Sequence, residues 1–159
     1  MGAPMALAGT GMPRQSLRLL VVDDEPDTVA TLKAILEDEG HSVATAGSVL
    51  AALRHLREER PDAIVADINM PDLSGYELGR EARRIYGALA PMLIAISGVW
   101  KGQTDRMLAQ LAGFQFFLEK PCEPKVLLSL LSPLKRQEAR PSVSLTEITA
   151  PIEPEPGDL

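Results

Sequence analysis

Apolar residues recur along this chain in two alternating rhythms. Continuous runs come at Leu17 to Val22 (LRLLVV), Ala63 to Ala66 (AIVA) and Met92 to Ile96 (MLIAI), with shorter or weaker ones at Ser42 to Ala46 (SVATA) and Phe116 to Leu118 (FFL). Such runs read as strands covered on both faces, because the alternation of inward and outward positions disappears when neither face meets water. Between them the spacing changes to that of a helix with one apolar stripe. Val29, Leu32, Ile35 and Leu36 mark the first, with Pro26 in its opening turn and Gly40 as its stop; Val49, Ala52, Leu53 and Leu56 mark the second, and Leu78, Ala82 and Ile85 the third. Met107, Leu108 and Leu111 give a shorter fourth that stops at Gly113, and Val126, Leu127, Leu130, Leu131 and Leu134 a strong fifth. Five strands alternating with five helices predict right-handed crossovers and helices on both faces of a parallel sheet. The expected fold is α/β, a flavodoxin-like doubly wound (βα)5 unit whose five-stranded parallel sheet has the order 2-1-3-4-5.

The ends of the chain lack either rhythm. Residues 1–15 are mostly Ala, Gly, Met and Pro, and residues 137–159 mix prolines and acidic residues without an apolar face, so both are expected to be flexible tails around one domain over 16–136. A length of 159 residues with 45% hydrophobic and 24% charged residues is ordinary for one globular domain. The formal net charge of -6 argues against a nucleic-acid partner, since phosphate backbones call for clustered Lys and Arg. Cys122, the single cysteine, has no partner for an internal disulfide or a thiolate zinc site, which fits a reducing compartment. No apolar run reaches the roughly 18 residues a membrane span needs. A cytoplasmic protein without a membrane partner is the expectation.

Candidate chemistry sits where the predicted strands end. Asp23 and Asp24 follow the first, Asp67 the third, Ser97 the fourth and Lys120-Pro121 the fifth, so a parallel sheet gathers them at its carboxyl edge, where such folds bind ligands. Close carboxylates repel by roughly 1 to 4 kcal/mol per pair at effective dielectrics of 80 to 20, and a cation removes that repulsion. All-oxygen donors suit Mg²⁺, whereas zinc calls for His or Cys, which do not cluster here. A carboxylate beside such a cation can act as a nucleophile toward a phosphoryl group, with Lys120 supplying positive charge and Ser97 a hydroxyl. Taken singly, each group has a plain structural role in a turn or at a helix start. It is their coincidence at four strand ends that points to phosphoryl chemistry.

The segments VVDDEPD, DINMPDLSGYEL, AISG and FFLEKP resemble the response regulator receiver domain of two-component signalling, over roughly residues 17–135. That resemblance implies Asp67 as phosphoacceptor, Asp24 as a direct Mg²⁺ ligand with Asp23 nearby or acting through water, and Asn69 as a ligand through its backbone carbonyl. It implies that Ser97 moves toward the phosphoryl group, that Lys120 contacts it, that the Lys120-Pro121 bond is cis, and that Gly75 matches the glycine of the loop after the acceptor. A histidine kinase or a histidine phosphotransfer protein would be the donor and a downstream protein the target, and a homodimer is compatible with it.

Two positions depart from the commonest receiver pattern. Phe117 keeps a ring where many receivers carry Tyr, so a switch built on a tyrosine hydroxyl is in doubt while one built on ring packing into space vacated by Ser97 survives. The expected switch is a population shift of the loop after Ser97 and of the face formed by the fourth helix, fifth strand and fifth helix. Trp100, the sole tryptophan, is equally a cover for the site and an anchor for a partner. Phe114 and Phe116 read as packing residues, and His41 and His55 as surface residues.

Three other functions share parts of this pattern. A flavodoxin shares the fold but needs a Ser/Thr/Gly-rich phosphate cradle where this chain has acidic residues. A haloacid-dehalogenase-type Mg²⁺-dependent phosphatase also uses an aspartate nucleophile, though at the first strand in an Asp-x-Asp arrangement, and residues 23 to 27 read DDEPD. A receiver-fold interaction module working without phosphorylation would not need the complete acidic set. The complete set of residues predicts a phosphoacceptor that catalyses only its own phosphorylation and dephosphorylation. Its output is expected by protein contact, as a stand-alone regulator or as the receiver of a larger protein such as a hybrid kinase.

Overall fold

The computed structural model describes residues 16–98 and 102–137. Strands β1 (Arg18–Val22), β2 (Ser42–Ala46), β3 (Ala63–Asp67), β4 (Met92–Ser97) and β5 (Phe116–Glu119) alternate with helices α1 (Pro26–Asp38), α2 (Val49–Glu58), α3 (Gly75–Tyr86), α4 (Gln103–Leu111) and α5 (Pro124–Gln137). All strand pairs are parallel and lie in the order β2-β1-β3-β4-β5. This is the doubly wound arrangement expected from the sequence. The tails expected over 1–15 and 137–159 lie outside the described residues, save for Gln137 at the end of α5.

The continuous apolar runs are explained by two cores, one on each side of the sheet. Leu20 and Val22, Ile64 and Ala66, and Leu93 and Ala95 face a cluster completed by α2, α3 and the segment from Ala109 to Phe114. Their neighbours Leu19 and Val21, Ala63 and Val65, and Ile94 and Ile96 face a second cluster closed by Leu32 and Leu36 of α1 and Leu127 and Leu131 of α5. Because successive strand side chains point to opposite faces, a strand buried on both sides is apolar throughout. Each buried Leu or Ile contributes about 1.5 to 3 kcal/mol relative to exposure, so these layers fix the register that delivers the strand ends to one edge.

Helix ends are set by local chemistry. Pro26 opens α1, and Gly40, at φ 94°, closes it: its N–H donates to Glu37 O at 2.9 Å and that of His41 to Leu36 O at 3.2 Å. That pair of bonds requires a left-handed residue at Gly40, which glycine adopts without steric penalty. The turn tucks His41 beneath the start of β1, where it is 5% exposed and its Nδ1 accepts the Leu17 N–H at 3.1 Å. His41 is therefore a buried acceptor and not the surface residue expected. His55, on α2, is half-buried. Phe114 is buried and Phe116 half-buried against the second cluster, in keeping with packing roles.

Candidate functional site

Each candidate side chain reaches the carboxyl edge of the sheet because a buried strand delivers it there. Asp23 follows β1 directly, and its N–H donates to Ala46 O of β2 at 3.1 Å. Asp67 and Ser97 are the last residues of β3 and β4, paired with Ile96 and Glu119, so backbone pairing runs one residue beyond the apolar runs. Lys120 comes directly after β5, its N–H donating to Ser97 O at 2.9 Å, and the Lys120-Pro121 bond is cis.

The carboxylates form one cluster. Ligand atoms of Asp23, Asp24 and Asp67 all lie within 4.8 Å of one another, with Asp23 and Asp67 buried and Asp24 exposed. Lys120 Nζ donates to Asp67 Oδ2 at 3.0 Å and lies 2.8 Å from Asp23 Oδ2. No well-directed hydrogen bond reaches that buried Asp23 oxygen, so its contact with Lys120 is an ion pair. The other oxygens are used locally: Asp23 Oδ1 accepts the Glu25 N–H at 2.9 Å and Asp67 Oδ1 the Asn69 N–H at 3.0 Å. Both are turns in which an aspartate accepts from the backbone two residues on.

Charge follows from this packing. Burial pushes the Asp67 carboxyl above its ordinary value; the Asn69 N–H and the Lys120 ammonium pull it back, and Asp23 adds to the upward push. Burial works against the Lys120 ammonium, but the hydrogen bond to Asp67 and the charges of Asp23 and Asp67 outweigh it and raise its pKa. Lys120 pairs with Asp23 and Asp67, and Asp24 adds a third carboxylate to the cluster, an imbalance that a divalent cation with oxygen preference would redress. The acidic cluster is thus compatible with Mg²⁺.

Asn69 supplies a contact that the sequence did not disclose. Its side-chain amide donates to Ser97 Oγ at 2.9 Å, tying the loop after β3 to the end of β4. Gly75 is required by close approach, since a Cβ there would lie 2.6 Å from Asp67 O and 2.9 Å from Ile68 Cα. Phe117, half-buried on β5 opposite Ala95, packs against the cluster on the α2 and α3 side. Trp100 lies outside the described residues.

Comparison with known proteins agrees with this geometry. Residues 19–132 match the response regulator receiver domain. The chain belongs to the response regulator receiver family. Over 113 residues this receiver is 37% identical to the 14.6 kDa protein of the sodA1 3' region of Leptolyngbya boryana, covering 71% of this chain and 86% of that one. It is 32% identical over 130 residues to the DNA-binding response regulator MtrA of Mycolicibacterium smegmatis, covering 81% of this chain and 55% of MtrA. The receiver thus spans about half of that DNA-binding relative; the expectation of no nucleic-acid partner rests on net charge alone. Among solved structures, the CheY-like receiver domain protein of Methanospirillum hungatei superposes with a TM-score of 0.71 at 26% identity, covering 79% of this chain and 98% of that one. Family membership leaves the flavodoxin and haloacid-dehalogenase readings without support. No helix among the described residues is long and apolar enough to cross a membrane.

Proposed function

We propose that this receiver accepts a phosphoryl group on Asp67 from a phosphohistidine of a histidine kinase or histidine phosphotransfer protein, and that Mg²⁺ is its cofactor. The observation that carries the proposal is the placement of Lys120 Nζ 3.0 Å from Asp67 Oδ2, beside a three-carboxylate cluster at one sheet edge. An Asp67 carboxylate oxygen attacks phosphorus; a P–O bond forms as the P–N bond breaks, and the electron pair leaves with the imidazole nitrogen. Asp23, Asp24, Asp67 and the Asn69 backbone carbonyl would hold Mg²⁺, which when bound neutralises charge on the phosphoryl oxygens. Lys120, kept protonated by its carboxylate neighbours, exchanges its contact with Asp67 Oδ2 for a phosphoryl oxygen. Ser97 donates its hydroxyl to another phosphoryl oxygen, which releases its contact with Asn69.

The output is a population shift. Movement of Ser97 opens space toward β5 into which the Phe117 ring repacks, altering the surface of α4, β5 and α5 that a downstream protein reads. The test is phosphotransfer from a phosphorylated histidine donor, followed by NMR of the receiver with a phosphoryl analogue. The expected result is a hydroxylamine-labile product and concerted shifts of Ser97 and Phe117. Transfer onto another residue would overturn the acceptor assignment, and unmoved Ser97 and Phe117 signals the switch.

A further inference from the structure

The segment between Asp67 and Gly75 carries Asn69, yet no strand or helix holds residues 68–74. It is pinned at separate points instead. Met70 is 9% exposed and sits in the cluster with Ala46 and Val49, and the Gly75 N–H donates to Ile68 O at 2.9 Å. A third pin reaches outward to another helix: Asp72 Oδ1 accepts the Val49 N–H at 3.3 Å and Oδ2 the Leu50 N–H at 3.1 Å. These are the first two residues of α2, whose open N–H groups and positive end favour a carboxylate. That helix already has its own cap, because Ser48 Oγ accepts the Ala51 N–H at 3.1 Å. One cap is local and belongs to the helix. The other arrives from the loop that holds Asn69.

We propose that Asp72 is a positioning residue: by clamping this loop to the start of α2 it sets the Asn69 carbonyl for cation binding. The inference rests on the proposed function, since it assigns Asp72 a task toward the same Mg²⁺ site. Four of the seven loop residues lie between Asn69 and Asp72 inclusive, so a fixed Asp72 leaves Asn69 little freedom. Outer groups that orient ligands in this way typically alter metal affinity about 10- to 100-fold when removed.

Ser48→Ala is the matched control, because it removes the other cap of α2 and leaves the loop after β3 untouched. With the purified full chain, Asp72→Ala and Ser48→Ala are both expected to lower Tm by about 4 °C. Only Asp72→Ala is expected to raise the Mg²⁺ Kd, measured by calorimetry, by about tenfold. Asp72→Asn, which loses the charge but keeps an oxygen acceptor, should stay within about threefold of wild type at physiological salt. The proposal is overturned if Asp72→Ala binds Mg²⁺ like wild type, if Ser48→Ala weakens binding equally, or if Asp72→Asn is as weak as Asp72→Ala, which would reduce the effect to charge. Absence of Mg²⁺ binding by wild type is a different result: it removes the proposed cation site, and this inference with it.

Discussion

The side-chain amide of Asn69 donates to the hydroxyl oxygen of Ser97 at 2.9 Å, joining the loop after the proposed acceptor to the residue proposed to move. The bond must break for Ser97 to turn toward a phosphoryl group, so it favours the resting arrangement. Asn69→Ala keeps the backbone carbonyl and loses this tether, whose net contribution at an exposed residue is about 0.5 kcal/mol. The variant is expected to bind a beryllofluoride phosphoryl analogue about twofold more tightly, since that energy no longer opposes the shift. NMR titration measures it; equal or weaker affinity would count against the tether.

Gly75 tests how tightly the loop packs on the acceptor strand. A methyl group in Gly75→Ala would meet Asp67 O at 2.6 Å, a backbone atom that can yield only by moving the end of β3. Overpacking of this kind costs about 1 to 3 kcal/mol. Chemical denaturation should show that loss, and phosphorylation of the folded variant should slow. A variant as stable and as reactive as wild type would mean that the loop has slack.

His41 governs a pH dependence at the opposite end of the sheet. Burial lowers its pKa below the ordinary 6.5, the Lys135 ammonium lowers it further, and the Glu39 and Asp62 carboxylates pull the other way. Protonation would also place a donor at Nδ1, facing the Leu17 N–H. The unfolded chain takes up this proton first as pH falls, so the stability from neutral His41 is complete above about pH 6.5 and is lost as pH drops toward the folded pKa. Wild-type Tm should decline from about pH 7 to about pH 5.5, and His41→Asn, whose amide oxygen can replace Nδ1, should decline less. Parallel slopes for the two proteins would contradict the role given to His41.

What was legible in the sequence depended on repetition. Strands such as Ile64 to Ala66 and Leu93 to Ile96 announce themselves because burial on both faces leaves no polar interruption, and Asp23, Asp67 and Lys120 stand out where those runs stop. β3, β4 and β5 each run one residue past their apolar stretch, because pairing of Asp67 with Ile96 and of Ser97 with Glu119 depends on the backbone and not on polarity. Contacts made once, between loops, carry no period. The Asn69 amide meets Ser97, Asp72 reaches α2 and His41 reaches Leu17 only after the strands are stacked, and a polar residue near a turn looks the same with or without such a partner. His41 was misread for that reason.

Asp67 is the residue proposed to take the phosphoryl group. The direct measurement is intact mass of wild type and Asp67→Asn after incubation with acetyl phosphate, with Mg²⁺ or with a chelator. One added phosphoryl group is expected on wild type with Mg²⁺, and essentially none with the chelator or on the variant. Equal labelling of Asp67→Asn and wild type would contradict the account.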